Sequence, residues 1–243
     1  MPESIRLNKY IASSDIASRR GADELIKTGK VKINGEVITN PATVITKRDA
    51  VEVNGKKIRP LEQKYVIFNK PAGYITARRD PHERKTIYDL LPSEIHKLKP
   101  AGRLDRETTG LLILTNDGEL IQKLTHPKGR VPKVYRVTAE GKVTQQDLFD
   151  LKKGIEIEKG KIAYAEAVIL DYAQSKTTLE LVLFQGYNRQ IRRMMDKINH
   201  PVISLKRISH ANINIAGLDK GKYRYLSRKE VEILNNYLKK LKV

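Results

Sequence analysis

No cysteine occurs anywhere in the 243 residues, and no tryptophan. The first absence excludes disulfides, thiolate nucleophiles and cysteine-ligated zinc. Phenylalanine and methionine number three each, so large apolar side chains are scarce and most of the aromatic content is tyrosine. Histidines are few. His82, His96, His126, His200 and His210 show no ligand spacing, which places them in loops or at helix ends rather than around a metal. No apolar run approaches the roughly 20 residues of a membrane-spanning helix. The amino terminus has no apolar signal core, so the cytoplasm is the expected location. Negative charge is also in short supply, with 28 Asp and Glu against 47 Lys and Arg.

That imbalance leaves a formal charge of +19. A polyanionic partner fits it best, although a lysine-rich soluble protein would share the composition. A membrane surface fits less well, because no helix pairs a long apolar face with a basic one. The excess is +4 over residues 1–62 and +15 over the remainder, so basic surface is expected on both parts. The length suits one large domain or two unequal ones.

Two units are legible. In residues 4–60, a short helix is expected from Ile5 to Ile11. Ser18 is placed to cap a second, with Ala22, Leu25 and Ile26 on one face and Gly29 as the stop. Asn34-Gly35 and Asn54-Gly55 sit between alternating apolar residues, a strong hairpin signal. Residues 60–64 read as a polar linker, and a second domain is expected over 65–243. It opens on the apolar strand Tyr65-Val66-Ile67-Phe68, followed by a Lys-Pro-Ala-Gly turn, an exposed loop over 77–86 and a single helical turn from Thr86 to Leu91. Further on, helices are expected at 119–125, after Thr144, at 189–198 capped by Asn188, and from Ser227 to Leu241. Strands are expected at 134–139, 162–170 and 177–184. The pattern predicts a mainly antiparallel α+β fold.

The densest chemical signal is Gly102-Arg103-Leu104-Asp105-Arg106-Glu107-Thr108-Thr109-Gly110, leading into Leu111-Leu112-Ile113-Leu114-Thr115-Asn116-Asp117-Gly118. It sets Asp105 between two arginines just before a strand-like run. Nearby cations favour the ionised carboxylate, which can then act as nucleophile or base. The same residues also suit a loop aspartate that caps a turn or pairs with a surface arginine. Three more strings accompany it: Lys70-Pro71-Ala72-Gly73, Lys133-Val134-Tyr135, and Gly186-Tyr187-Asn188-Arg189-Gln190-Ile191-Arg192-Arg193-Met194.

These four strings, in this order, resemble the motifs of ribosomal RNA pseudouridine synthases, in the branch typified by small-subunit synthase A and large-subunit synthases B, E and F. The likeness spans essentially the whole chain. Residues 4–60 are similar to the S4 RNA-binding domain, whose phosphate contacts would be Arg6, Lys9, Arg19, Arg20 and Lys27, each of which also suits a solvated helix surface. The resemblance implies a reaction that breaks the uridine N1–C1′ bond, rotates the base and joins C5 to C1′. No cofactor or metal is expected for that isomerisation. The base must leave its stack first, at a cost of about a few kcal/mol.

Asp105 matches the family's essential aspartate, which either attacks C1′ or removes the C2′ proton. Tyr135 matches a tyrosine that stacks on uracil and takes part in proton transfer at C5; it also suits an ordinary strand tyrosine. Arg192 matches the basic partner of the aspartate, and Ile191 an aliphatic residue beneath the base. Arg103 matches an arginine that fills the gap left by the flipped nucleotide. Lys70 is expected to reach the substrate, unless its turn is structural. Arg189 and Arg193 suit phosphate contacts. Tyr88-Asp89-Leu90-Leu91-Pro92 and His126-Pro127 resemble the large-subunit type, so large-subunit ribosomal RNA or a pre-ribosomal particle is the expected partner, bound by a monomer. Small-subunit RNA, a non-catalytic assembly factor and a DNA-binding regulator are the alternatives.

Overall fold

Ser18 accepts a hydrogen bond from the Gly21 amide, and the helix it caps packs Ala22 and Ile26 inward. This is the second helix of the smaller of two compact units, which divide between Gln63 and Lys64 in a computed structural model describing residues 4–241. The unit runs β1 (Ser4–Arg6), α1 (Leu7–Ser13), α2 (Arg19–Lys27), β2 (Val31–Ile33), β3 (Glu36–Ile38), β4 (Val44–Thr46), β5 (Val51–Val53) and β6 (Lys56–Lys57). Helix α1 begins later than its apolar spacing predicts, because Ile5 pairs with Ile45 in an antiparallel ladder that only the fold can supply. The two Asn-Gly pairs turn as expected, with φ of +52° and +92° at 34–35 and +50° and +75° at 54–55. These values are those of a type I′ hairpin turn. Leu7, Ile11, Ala22, Ile26, Val31 and Ile45 lie at the centre of its core.

The larger unit contains β7 (Tyr65–Lys70), β8 (Lys99–Pro100), β9 (Thr109–Thr115), α3 (Gly118–Thr125), β10 (Lys133–Glu140), α4 (Gln145–Lys153), β11 (Ile155–Glu158), β12 (Lys161–Ala163), β13 (Glu166–Ala173), β14 (Lys176–Leu183), α5 (Gln190–Lys197), β15 (Val202–His210), β16 (Ile213–Asn214), β17 (Tyr223–Tyr225) and α6 (Arg228–Lys240). The main sheet has the order β13-β14-β10-β15-β9-β7-β17. Every neighbouring pair is antiparallel except β15 with β9. The fold is α+β. Strands β7 and β9 bury both faces: Val66, Phe68, Leu112 and Leu114 enter one apolar cluster, and Ile67, Leu111 and Ile113 enter another. Their unbroken apolar runs follow from that.

Two further expectations need correction. The strand read over 162–170 is broken: Tyr164 and Ala165 lie between β12 and β13, where the Ala165 amide bonds the Leu151 carbonyl. Asn188 does not cap α5. Arg189 occupies that position in the left-handed region at φ +50°, without a side-chain cap, and the Gln190 Oε1 turns back to accept from the Tyr187 amide.

Candidate active site

The loop before β9 is held from three sides. The Lys70 ammonium, at the end of β7, donates to the carbonyls of Pro71, Arg106 and Thr108 at 3.0, 3.0 and 2.9 Å. The Gly73 amide donates to the Arg106 carbonyl at 3.0 Å. The Thr76 hydroxyl bonds both the amide and the carbonyl of Leu104. A turn closed by the Thr108 amide on the Asp105 carbonyl then presents Asp105. Lys70 is wholly buried, so its expected contact with substrate is corrected: it braces the loop from behind. Burial brings its pKa down to about 8, opposed by the negative charges of Glu107 and Asp105.

The loop forms one wall of a cavity of about 740 Å³. Asp105, Arg103, Tyr135, Ile191 and Arg189 all line it. Tyr135 and Ile191 are buried, at 9% and 4% exposure, whereas Arg103 and Arg189 are open to solvent. Among the described residues, no side-chain hydrogen bond or ion pair engages the Asp105 carboxylate. Arg106 instead faces the Gly73 carbonyl and Glu107. The volume is of the size that takes a small organic group.

Arg192 departs from expectation. Its Nη1 donates to the Val202 carbonyl at 3.1 Å, its Nε is buried with no partner among the described residues, and it does not line the cavity. No Asp105–Arg192 pair forms among the described residues. The helix turn that brings Ile191 to the cavity rotates the next residue by about 100°, toward β15. Arg193, expected at a phosphate, pairs with Glu158 at 3.2 Å.

Lys133, Arg207 and His210 also line the cavity, and none of them was assigned to the site from the sequence. Lys133 was within reach, since it stands two residues before Tyr135 and so shares its strand face. Arg207 and His210 lie on β15, which has no motif to mark it. The Arg207 Nε donates to the Leu111 carbonyl at 2.7 Å, and its Nη2 is buried without a partner among the described residues. Burial first, and then the charge of Arg207, brings Lys133 down to about 8. His210 is completely buried, and desolvation holds it well below the usual histidine range.

In the smaller unit, Arg6, Arg19, Arg20 and Lys27 are exposed and Lys9 is half-buried. No described helix is long and apolar enough to cross a membrane.

Comparison with known proteins gives a consistent result. A family model described as RNA pseudouridylate synthase matches residues 64–197, and an S4 domain model matches residues 5–51. Ribosomal large subunit pseudouridine synthase B of Bacillus subtilis (strain 168) is 44% identical over 231 residues, which is 94% of this chain and 95% of the relative. An uncharacterized RNA pseudouridine synthase of Aquifex aeolicus (strain VF5) is 41% identical over 229 residues, or 93% and 92% of the two chains. A crystal structure described as pseudouridylate synthase matches 95% of this chain and 99% of its own, with a TM-score of 0.68 at 30% identity.

Proposed function

The chain belongs to the RNA pseudouridylate synthase family, with an S4 domain ahead of the synthase domain, and from that membership we propose that it isomerises a uridine of large-subunit ribosomal RNA in the cavity beside Asp105. One observation supports the site above the rest: an unengaged carboxylate stands in a cavity wall with a buried tyrosine and a buried isoleucine. The choice of large-subunit RNA rests on the 44% identity to the Bacillus synthase B over nearly the full length of both chains.

In this reading the target uridine leaves its stack and enters the cavity. The Asp105 carboxylate starts the reaction, either by attack at C1′ or by taking the C2′ proton. The N1–C1′ bond breaks, the base turns, C5 bonds to C1′, and the C5 proton leaves as N1 gains one. Tyr135 stacks on the base and its hydroxyl relays the C5 proton. Ile191 supports the ring from below, and Arg103 occupies the gap in the RNA. Arg192 is assigned a positioning role, tying α5 to the start of β15 so that Ile191 stays in the wall. The S4 unit adds phosphate contacts through Arg6, Lys9, Arg19, Arg20 and Lys27, and Arg189 adds one at the cavity rim. The protein acts as a monomer in the cytoplasm, where its RNA is.

The test is carbodiimide mapping of pseudouridine in both ribosomal subunits from cells with and without the gene, complemented by parent or Asp105→Asn. One large-subunit pseudouridine is expected to vanish on deletion and return only with the parent. Asp105→Asn keeps size and RNA affinity but removes the charge, so turnover falls to background. Loss of a small-subunit pseudouridine instead would transfer the substrate and keep the reaction. Turnover by Asp105→Asn near the parent rate would remove Asp105 from the chemistry.

A further inference from the structure

Strand pairing sets a second group of side chains beside Tyr135. Tyr135 and Arg207 are cross-strand partners in β10 and β15, and so are Lys133 and His210. The register shifts between Val134 and Tyr135, leaving Ile208 as the extra residue of a bulge. The bulge puts Arg207 and His210, three residues apart, on one face. Lys133 and Tyr135 share that face by alternation. All four line the cavity.

The charges on this wall are one-sided. Arg207 is 98% buried, its exposure being 2%, and its Nη2 has no hydrogen-bond partner among the described residues. Among the described residues, no carboxylate lies within ion-pair distance of Arg207 or Lys133. His210 is wholly buried, and an imidazole supplies no negative charge to balance them. Burying a guanidinium beside an ammonium with no acid between them is unfavourable unless an anion completes the site. The backbone holds Arg207 in place. Gly110 pairs with it in the parallel β9–β15 ladder, so closely that a Cβ there would overlap the Arg207 carbonyl oxygen. The Leu111 carbonyl fixes its Nε, which leaves the outer end of the guanidinium to work.

We propose that Arg207 and Lys133 form an anion seat in the cavity wall, which grips a phosphodiester adjoining the target uridine and so sets the flipped nucleotide against Tyr135. Guanidinium and phosphate match in geometry and form charge-assisted hydrogen bonds. Cross-strand neighbours stand about 5 Å apart, so the seat and the tyrosine ring engage the same nucleotide. The inference rests on the proposal that this cavity receives the uridine.

The experiment uses the full chain and the shortest large-subunit ribosomal RNA fragment on which it converts uridine. The phosphates on the 5′ and 3′ sides of that uridine are replaced, one at a time, by an uncharged methylphosphonate. Affinity is measured for the parent, Arg207→Gln and Lys133→Met. For one linkage, neutralisation should weaken the parent about ten-fold or more and weaken both variants much less. A merely structural role would not produce that coupling to a single linkage. Lys133→Met completes the cycle if Arg207→Gln does not fold. Equal weakening of parent and variants at both linkages, or no weakening of the parent at either, would overturn the seat. Conversion of the unmodified fragment is followed alongside: conversion without coupling removes the seat alone, whereas a parent that converts no ribosomal RNA removes the reading of the cavity as well.

Discussion

Three carbonyls, of Pro71, Arg106 and Thr108, converge on one buried ammonium, and two of them belong to the turn that presents Asp105. Lys70→Met removes the ammonium from all three, and although the Arg106 carbonyl keeps the Gly73 amide as a donor, the buried Thr108 carbonyl loses its Lys70 bond. The expected loss of unfolding free energy is about 3 kcal/mol or more. Where the variant stays folded, kcat should fall with KM little changed, because the residue touches the loop and not the RNA. Thermal denaturation and steady-state kinetics together check this. A raised KM with an unmoved Tm would mean that Lys70 does reach the substrate. Asp105 itself has no side-chain partner among the described residues, so its position depends on the backbone that Lys70, Gly73 and Thr76 hold.

At the scale of elements, the joint between β9 and β15 is the critical one. It is the parallel pair of the main sheet, and it places Arg207 against Gly110. Gly110 has φ of +103°, and an added methyl would overlap the Arg207 backbone. Gly110→Ala is therefore expected to cost about 3 kcal/mol or more, from strain and overlap together, and urea denaturation measures it. Helix α6 offers a pH test. Ser227 and Glu230 form its capping box, and Arg224 grips both Glu230 oxygens at 2.8 and 3.0 Å. The Arg224 guanidinium and the Ser227 amide bring Glu230 from its ordinary 4.5 to about 2. A lowered carboxyl pKa stabilises the fold above the unfolded value, so this contribution is full above pH 4.5 and fades as pH falls toward 2. The pair is partly exposed, so Glu230→Gln should cost only about 1 kcal/mol at neutral pH. It should also flatten part of the acid limb of a stability–pH curve. An acid limb identical to the parent's would contradict the pairing.

Across the whole molecule, the two units keep separate cores. Leu7, Ile26 and Val53 belong to one, and Phe68, Leu112 and Leu181 to the other. Leu61 still bonds the Ser13 carbonyl of the smaller unit, while Lys64 bonds the Asn116 side chain of the larger. A chain of residues 64–243 should therefore fold by itself, with a cooperative melt and dispersed amide resonances. Its RNA affinity should fall. The slope of log affinity against log salt should also shrink, by about 0.7 for each phosphate of single-stranded RNA that the smaller unit neutralises. An unchanged slope would mean that the smaller unit touches no phosphate.

By itself the sequence determined what is coded within a few residues. Ser18, Thr86, Thr144 and Ser227 cap the helical turns they precede, since a cap is a bond to an amide two or three positions away. The Asn-Gly hairpins needed only residues that tolerate positive φ. The ordered motifs marked Asp105, Tyr135 and Ile191, and these do share a cavity. Periodicity can say which face a residue occupies, but not which strand lies beside it. That choice belonged to the tertiary structure. It drew Ile5 out of a helix to pair with Ile45, buried Lys70 beneath carbonyls from residues 106 and 108, and turned Arg192 to the carbonyl of Val202. It also set Arg207 against Leu111, 96 residues away, and a single bulge brought His210 to the same face. Each of these outcomes depends on burial and on hydrogen-bond partners distant in the chain, and no local pattern records them.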